Sequence, residues 1–466
     1  MDTELRVKDI IKLCNGKLLC GSQEIICSDF CKDSREVKKD DVYIGIKGEK
    51  FNGSDYYKQA LEKGARVCIL QDVEIDKEII QKYKDSAIII VENVIIAIQL
   101  LSKYKRSLYN IPVVAITGSV GKTSTKDIVA SVLSKKYNVL KTEGNYNNHI
   151  GVPLTILKLK NHTAMVVEMG MNNLGELEVL TDIAKPNIAI ITNVGTSHIG
   201  NLGSRENILK AKLEIVQGLD LNGILVINND NDLLNNWNKN QHKIKTKTYG
   251  IVNTSDIQAY NIENQEDKSK FNIEIENELY EVEVPIGGNH FVYNSLCAIT
   301  IGNILEIPVT EMIKGIKEFE LTKSRMEIQK VNNITIINDC YNANFDSVKA
   351  AVEYLGKTQN KRKIAILGDM LELGDFSKEL HEKVGEEVIN QKIDVLIVVG
   401  TEAKNIAKVV KLKQTNLLNV YECDSNEEAI KLINKVKKNG DCILVKASNG
   451  MKFKEIVDSL LKHTVK

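Results

Sequence analysis

The chain of 466 residues is 43% hydrophobic and 27% charged, which excludes a disordered protein and is too long for one ordinary core. Lysine plus arginine and aspartate plus glutamate both number 62, so no net field draws the whole chain to nucleic acid or to an anionic membrane. We therefore expect a folded protein of about three domains that does not bind nucleic acid.

The N-terminal stretch MDTELRVKDIIKLC has acidic residues among its first four positions and lacks the apolar core of a signal peptide. The most apolar segment, residues 87–101, is interrupted by polar residues and is shorter than the roughly 20 residues of a membrane-spanning helix. A buried strand followed by a helix is favoured there. Nine cysteines without CxxC pairs indicate reduced thiols. We expect a cytoplasmic protein without membrane insertion.

Short strands and many turns, as in YIGIKGEKFNGSDY, predict a small α/β domain over residues 1–92. Beyond it, β-branched runs alternate with helix-like stretches, which indicates parallel βαβ units with helices on both faces of each sheet. This pattern predicts a central domain over residues 93–321 and a C-terminal domain over residues 322–466. The predicted strands are 113–117, 164–169, 188–193, 224–228, 335–338, 363–367, 394–399 and 442–446.

A polar, alternating segment between residues 250 and 285, which contains FNIEIENELYEVEV, predicts a β-hairpin inserted near the end of the central domain.

A glycine-bounded loop follows the first strand of the central domain, in VVAITGSVGKTSTKD. It is two residues shorter than the general GxxxxGK[ST] phosphate loop, but glycines, Lys122 and Thr123 still open a helix directly after a strand. Such a loop turns backbone N–H groups onto an anion, its lysine reaches phosphates, and its threonine holds Mg²⁺. The alternative is an ordinary glycine-rich turn. The predicted phosphate contacts are Gly118, Ser119, Val120, Gly121, Lys122, Thr123 and Ser124.

Polar residues at the ends of neighbouring strands are the natural partners of such a loop. Glu168 ends one predicted strand, and His198 follows another in GTSHIGNLGS, so we expect both to contact metal or phosphate. The helix pattern SRENILKAKLEI comes next. Its lysines, Lys210 and Lys212, are interpreted from sequence physics alone as a solvated face, with pairs such as Glu206–Lys210.

Several longer motifs together resemble the Mur ligase family, the ATP-dependent amide-forming enzymes of peptidoglycan precursor synthesis. They extend almost from end to end, and the shortened loop is the form that this family carries. The motifs are KDSREVKKDDVYIGIKG, ITGSVGKTSTKD, TEGNYNNHIGVPLTIL, VVEMGMNNLGEL, SHIGNLGSRENILKAKLEI, INDCYNANFDSVKAAVEYL and ILGDMLELGDFSKELHEKVGE. The resemblance implies a UDP-binding N-terminal domain, a central phosphate-loop ATPase with a mostly parallel sheet, and a Rossmann-like C-terminal domain.

The resemblance also implies roles for individual residues. Ser34 and Arg35 would contact the uridine nucleotide, and Asn145, Asn147 and Asn148 would line the muramyl side of the cleft. Glu168 and His198 would bind a second Mg²⁺. Lys212 matches a lysine that the family typically carbamylates, which converts a cation into an anionic metal ligand and reverses the interpretation as a solvated residue. The implied nucleotide contacts further along are Asn294 near adenine, Arg325 at phosphate and Asp339 at ribose.

The chemistry implied by the family begins with ATP phosphorylating a carboxylate, and an amine then attacks the acyl phosphate. Lys122, Lys212 and His198 are its candidate catalytic residues. Within the family the motifs DCYNAN and LGDMLELG favour the step that joins D-alanyl-D-alanine to UDP-N-acetylmuramoyl-tripeptide. Lysine and diaminopimelate are both compatible with the third peptide position. We expect a monomer.

Other functions stay open at this point. A family member that adds the diamino acid is the nearest, but the DNPR-like or DDPR-like tetrapeptide of that enzyme is absent from the sequence. A phosphate-loop kinase or ATPase and a non-catalytic nucleotide-binding protein are the others. Two departures from the family also stand out. Ala447 and Asn449 replace the glycine and arginine of KGSR, and Phe345 replaces the proline of NANP.

Overall fold

A computed structural model of the chain describes residues 3–241, 243–359, 362–413 and 419–462. Within these residues the β-branched runs form separate α/β sheets, because each run has helices to cover its apolar side chains. The architecture is that of three α/β domains. The division at residues 92–93 and 321–322 stays a prediction, although both points lie between regular elements.

The N-terminal sheet is mixed and has the order β2-β7-β6-β5-β4, with only the β2–β7 pair antiparallel in the described part. Its strands and the β1–β3 pair are β1 Leu5–Arg6, β2 Lys17–Cys20, β3 Ile26–Cys27, β4 Phe30–Cys31, β5 Val42–Ile44, β6 Val67–Leu70 and β7 Ala87–Ile90. The helices that precede the central sheet are α1 Val7–Cys14, α2 Tyr57–Glu62, α3 Lys77–Lys82 and α4 Val94–Ser107, with a 3₁₀ turn at Gly53–Tyr56. The strand and helix predicted for residues 87–101 are confirmed.

The central sheet is parallel throughout its described strands, in the order β14-β13-β12-β11-β8-β10-β9. The strands are β8 Val113–Thr117, β9 Val139–Lys141, β10 Ala164–Glu168, β11 Ile188–Ile191, β12 Ile224–Asn228, β13 Lys245–Gly250 and β14 Ile257–Gln258. The helices are α5 Lys122–Leu133, α6 Gly151–Leu157, α7 Glu176–Ala184, α8 Ile199–Leu202, α9 Arg205–Leu213, α10 Asp232–Asn240, α11 Asn289–Ile304 and α12 Val309–Lys317, with a 3₁₀ turn at Glu214–Val216.

The predicted hairpin insertion is larger than expected. Two of its strands form the hairpin, and a third strand pairs with the first of them, giving an antiparallel sheet of order β15-β16-β17. The strands are β15 Tyr260–Asn264, β16 Ser269–Ile275 and β17 Glu278–Val284. Burial alternates along β16, as expected when one face packs on the domain and the other faces solvent.

The C-terminal sheet has the order β18-β19-β23-β20-β21-β22, and its antiparallel pair is β18–β19. The strands are β18 Glu327–Val331, β19 Ile334–Asn338, β20 Arg362–Gly368, β21 Val395–Val399, β22 Asn419–Cys423 and β23 Asp441–Lys446. The helices are α13 Phe345–Lys357, α14 Ser377–Asn390, α15 Lys404–Lys413, α16 Asn426–Val436 and α17 Lys454–Lys462, with 3₁₀ turns at Gly374–Phe376 and Asn449–Met451.

The central and C-terminal domains approach each other closely. One hydrophobic cluster extends from the central sheet to the buried side of α13, including Val348 and Val352. At a second contact Gly200 lies against the backbone of residues 372–374, where an added Cβ would come within 2.6 Å of the Gly374 nitrogen. The strand ends of the central sheet therefore face the C-terminal domain across a narrow cleft.

Replacing Gly315 with alanine is expected to destabilise the central domain. A Cβ at this position of α12 would lie 2.7 Å from the Val132 Cα on α5, and backbone atoms cannot move aside as a flexible side chain can. Overpacking of this kind costs about 1–3 kcal/mol of unfolding free energy, which chemical denaturation can measure. Gly48→Ala is the control, because its Cβ would make only one ordinary contact. Equal stability of the two variants would contradict this packing.

Candidate active site between the central and C-terminal domains

The turn between β8 and α5 requires glycine at two positions. Gly118 has φ +152° and an added Cβ would fall on the Thr192 hydroxyl, so no side chain fits. Gly121 has φ +82°, in the left-handed region that disfavours residues with a Cβ. The turn therefore places backbone atoms that carry no side chain at the end of the sheet.

The middle of this loop is fixed by Asn193, which follows the neighbouring strand β11. The Ser119 N–H donates to the Asn193 carbonyl oxygen at 3.1 Å, and the Val120 N–H donates to its Oδ1 at 2.9 Å. Lys122, Thr123 and Ser124 then open α5, and the cap at Gly121 supplies no side-chain acceptor for their N–H groups. A helix start with free N–H donors is an anion site.

Lys122 lies over the loop, where its Nζ donates to the Gly118 carbonyl oxygen at 2.7 Å. Burial lowers the pKa of Lys122, the carboxylate of Glu168 opposes that shift, and the positive charge of Arg325 adds to it. Charges from three segments of the chain thus act on one space at the mouth of the loop.

Glu168 ends β10 and is only 1% exposed. Its Oε1 accepts a hydrogen bond from Asn147 Nδ2 at 2.8 Å, whereas Oε2 is buried without a partner in the described part of the chain. A buried, unpaired carboxylate oxygen is costly unless a cation or a donor meets it. This residue is therefore suited to a divalent cation.

Lys212 shows that the interpretation of SRENILKAKLEI as a solvated face was wrong at this position. Lys210 is exposed, but Lys212 is 1% exposed and lies on the buried side of α9 with Ile208 and Ala211. Burial, with a smaller effect of Lys122, holds the pKa of Lys212 well below its ordinary value, so the neutral amine is favoured. A neutral, buried amine is the form that reacts with carbon dioxide.

His198 has a left-handed backbone, with φ +63°, just before α8. Its Nδ1 lies 2.9 Å from Glu372 Oε2, a residue of the C-terminal domain, and the His198 ring lowers the pKa of that carboxyl. Among the residues that the structure describes, no three His, Cys, Asp or Glu side chains form a metal-binding group. A site built on Glu168 and His198 therefore needs a ligand of another kind.

A cavity of about 340 Å³ joins the loop to the C-terminal domain. The predicted nucleotide contacts Asn294, Arg325 and Asp339 all line it. Asn294 lies within α11, where its Oδ1 accepts from the Thr125 hydroxyl at 3.0 Å. The cavity thus connects the phosphate loop to each of the residues expected near adenine, phosphate and ribose.

Arg325 and Asp339 differ in how they are held. The Arg325 guanidinium carbon lies 3.9 Å from the centre of the Tyr341 ring, and its Nε is buried without a hydrogen-bond partner in the described chain. Asp339 is already paired at both oxygens, with Lys446 Nζ at 2.5 Å and the Met326 N–H at 3.1 Å. Arg325 therefore retains more free hydrogen-bonding capacity toward a ligand than Asp339.

Two residues that sequence reasoning missed connect α13 to the phosphate loop. Asn344 caps α13 and its Nδ2 also donates to the Ser197 hydroxyl, while Asp346 Oδ2 accepts from Thr196 N at 2.7 Å and from its hydroxyl at 2.9 Å. The Ser197 hydroxyl in turn donates to the Ser119 carbonyl oxygen at 2.9 Å. The N-cap pattern of NANFDS could have predicted the start of α13, but it does not predict that Asn344 also bonds to Ser197.

The predicted substrate contacts lie apart from this cavity or already bond within the protein. Ser34 is buried and donates to Gln59 at 2.6 Å, and Arg35 is an exposed side chain paired with Asp33, which lowers the pKa of Asp33 to about 2. Asn145 is exposed, Asn147 reaches Glu168 as described above, and Asn148 Oδ1 accepts from the N–H groups of residues 150 and 151. Only Asn147 is brought to the loop side of the cleft.

Both replacements in the KGSR motif have a local explanation. Ala447 is fully buried, and its methyl group occupies the space that Gly368 leaves by lacking a Cβ. Asn449 Nδ2 donates to the Tyr341 carbonyl oxygen at 3.0 Å, in the same segment whose ring stacks on Arg325. Asn449 therefore supports the wall of the cavity.

The site has the features of a phosphate-loop nucleotide-binding enzyme: helix N–H groups, a lysine and a buried carboxylate converge at the ends of parallel strands. Models of the Mur ligase middle domain, the Mur ligase glutamate ligase domain and the Mur ligase family catalytic domain match residues 116–302, 324–449 and 31–106. The chain belongs to the Mur ligase family.

Individual relatives match over nearly the whole chain. The UDP-N-acetylmuramoyl-tripeptide–D-alanyl-D-alanine ligase of Bacillus subtilis is 36% identical over 461 residues, covering 98% of each protein. MurF from Acinetobacter baumannii has a TM-score of 0.88 at 26% identity and covers 98% of this chain and 99% of its own. MurF ligase from Thermotoga maritima, solved with ADP, has a TM-score of 0.80 at 28% identity over 94% and 98% of the two chains.

Every helix in the described part of the chain is too short or too polar to cross a bilayer.

Gly118→Ala is expected to abolish nucleotide binding with little loss of the remaining fold. The added methyl group would displace the loop from Thr192, so the free N–H groups of α5 would no longer surround a phosphate. Calorimetric titration with ATP should show at least about a hundredfold weaker binding, equivalent to about 2.7 kcal/mol. Gly175→Ala is a control, because it also has positive φ but no atom within 4 Å of the added Cβ. Unchanged ATP affinity in Gly118→Ala would contradict the assignment of this loop.

Proposed function

We propose that this protein uses ATP to join D-alanyl-D-alanine to UDP-N-acetylmuramoyl-tripeptide in peptidoglycan precursor synthesis. This is the reaction for which the Bacillus subtilis relative is named. The observation that carries the proposal is that Lys122 of the phosphate loop interacts electrostatically with two buried groups, the carboxylate of Glu168 and the amine of Lys212. Amide formation needs a phosphoryl donor and a substrate carboxylate to meet, and this space holds groups for both.

The reaction begins with transfer of the ATP γ-phosphoryl group to the terminal carboxylate of the tripeptide. The carboxylate oxygen forms a bond to phosphorus, the bond to ADP breaks, and ADP leaves with the electron pair. Lys122 and the N–H groups of Lys122, Thr123 and Ser124 neutralise charge on the moving group. The amine of the dipeptide then attacks the acyl carbon and loses a proton, and orthophosphate leaves. No protein nucleophile is required.

The residues present also fit Mg²⁺. Thr123 would hold one ion on ATP, and Glu168, His198 and a carbamylated Lys212 would hold a second. When bound, Mg²⁺ supplies positive charge that reduces repulsion between the substrate carboxylate and the γ-phosphate. The unpaired Oε2 of Glu168 supports this assignment.

The carbamate on Lys212 supplies the additional anionic ligand. The neutral amine attacks carbon dioxide, an N–C bond forms, one C–O π pair moves to oxygen, and nitrogen releases a proton. The product is a carboxylate-like group with a single negative charge. Burial favours this reaction, because it lowers the pKa of Lys212 and so raises the fraction of neutral amine.

The remaining assignments follow from the same proposal. Ser34 and Arg35 would contact the uridine nucleotide, and the asparagines at positions 145, 147 and 148 would line the muramyl side of the cleft. Domain division at residues 92–93 and 321–322, a monomeric state and a cytoplasmic location belong to the proposal as well. Closure of the C-terminal domain over the loop would exclude water, which would otherwise hydrolyse the acyl phosphate.

Purified protein is expected to release orthophosphate only when ATP, UDP-N-acetylmuramoyl-tripeptide and D-alanyl-D-alanine are all present. With ¹⁸O in the tripeptide carboxylate, one label should appear in the released phosphate, because that oxygen bridges carbon and phosphorus in the intermediate. Lys122→Ala is the inactive control. Phosphate release without a carboxylate acceptor would favour a kinase or ATPase, and equal turnover with a diamino acid would favour a different step of the family. Unlabelled phosphate would overturn the acyl-phosphate route.

Lys212→Ala is expected to lower the ligation rate by about two orders of magnitude, as when a preorganised charge is lost from an active site. Short carboxylic acids such as formate or acetate should restore part of that rate, because they can enter the space left by the carbamate. The matched control is Lys210→Ala on the exposed side of the same helix, which should retain full activity. A Lys212→Ala variant as active as the wild type would refute the carbamate.

A further inference from the structure

The segment between α12 and β18 connects the central and C-terminal domains and carries Arg325 into the cavity. It is fixed on both sides. On the C-terminal side the Tyr341 N–H donates to the Ser324 carbonyl oxygen at 3.2 Å, and the Met326 N–H donates to Asp339 Oδ1 at 3.1 Å. Ser324 and Met326 both have positive φ, +62° and +47°, so the backbone turns sharply around Arg325.

On the central side the segment is held by Asp127, a residue of α5. Asp127 Oδ2 accepts two hydrogen bonds from Thr322, from its N–H at 3.0 Å and from its hydroxyl at 2.8 Å. Both Asp127 and Thr322 lie outside the set of residues that line the cavity. The contact therefore acts on the connecting segment and not on a ligand.

The Asp127 carboxylate is buried and charged groups surround its other oxygen. Oδ1 lies 2.9 Å from Lys141 Nζ and 3.4 Å from Lys126 Nζ, and Lys126 is itself buried. Both lysines form ion pairs with this carboxylate, and hydrogen bonds that involve an ion-paired group are the stronger kind. The tether to Thr322 is thus charge-assisted.

Packing of α5 against α12 does not depend on this tether. The Ser131 hydroxyl donates to the Gly315 carbonyl oxygen at 2.7 Å, Gly315 packs closely on Val132, and Lys135 pairs with Glu318. These contacts hold the two helices together further along α5. The contact between Asp127 and Thr322 instead holds the connecting segment beyond the end of α12.

We propose that Asp127 is a positioning residue that acts through Thr322 to place Arg325 against the phosphates of ATP. The helix that begins with Lys122 and Thr123 also carries Asp127, so one rigid element fixes both the phosphate loop and the start of the segment that delivers Arg325. Only residues 323–325 separate the Thr322 tether from the anchored Met326. The inference rests on the proposed function for the role of Arg325 at phosphate.

The test is a double-mutant cycle between Thr322→Val and Arg325→Ala, with ATP affinity measured by calorimetry. Loss of one charge-assisted hydrogen bond predicts about tenfold weaker ATP binding in Thr322→Val. In the Arg325→Ala background the same substitution should change the affinity less than about twofold, because the group it positions is gone. Thr322→Ser keeps the hydroxyl and should restore wild-type affinity. Asp127→Asn should weaken binding as Thr322→Val does.

Ser131→Ala is the matched control, since it removes another hydroxyl contact of α5 but leaves the connecting segment alone. It should bind ATP as the wild type does. Additive effects of Thr322→Val and Arg325→Ala, or unchanged affinity in Thr322→Val or Arg325→Ala, would overturn the inference. Because the readout is ATP binding, it is separable from the ligation assay. If Thr322 and Arg325 are coupled in ATP binding but the protein does not catalyse ligation, the proposed reaction is wrong and the tether stands. If the protein catalyses ligation but the two residues are not coupled, the tether is wrong and the proposed reaction stands.

Discussion

The backbone turn at Gly118 is the constraint on which the rest of the site depends. No side chain fits beside Thr192, so glycine alone allows β8 to pass directly into a loop held by Asn193. That loop releases the first N–H groups of α5 toward an anion. Because α5 is a rigid helix in the domain core, the position of a bound phosphate is tied to the central sheet, and the other groups of the site need only be placed relative to it.

Electrostatic balance explains why the site combines residues that would be unfavourable elsewhere. Within the residues that the structure describes, one buried oxygen of Glu168 has no hydrogen-bond partner, and Lys212 is a buried lysine whose pKa is well below its ordinary value. Each is costly alone, since burial penalises both an unpaired charge and an unmet hydrogen-bonding group. The proposed cations and the proposed carbamate on the lysine would satisfy both groups in the same space. The cost of folding such a site indicates selection for chemistry, not stability.

Much of the fold could be predicted from the sequence, because long β-branched runs are buried on both faces of a sheet and leave a clear pattern, as at Val113–Thr117. The burial of Lys212 could not be predicted, because the alternating charges of its helix are typical of an exposed face. Tertiary packing determines which side of the helix is buried. The third strand of the insertion was missed for a related reason, because Tyr260–Asn264 is mostly exposed and lacks a clear apolar alternation. Resemblance to the family, and not helix periodicity, identified the lysine.

Contacts between domains form the part that no local pattern encodes. Asp346 meets Thr196, and His198 meets Glu372, across a cleft that brings together residues distant in the chain. Their hydrogen-bonding groups could equally have been satisfied by water or by neighbours, so their identity predicts a polar surface and nothing more. These contacts are informative because they lead to the same place. Asp346 bonds to Thr196 and Asn344 bonds to the adjacent Ser197, whose hydroxyl bonds to the phosphate loop. The phosphate loop and the start of α13 therefore belong to one hydrogen-bond network that connects the central and C-terminal domains.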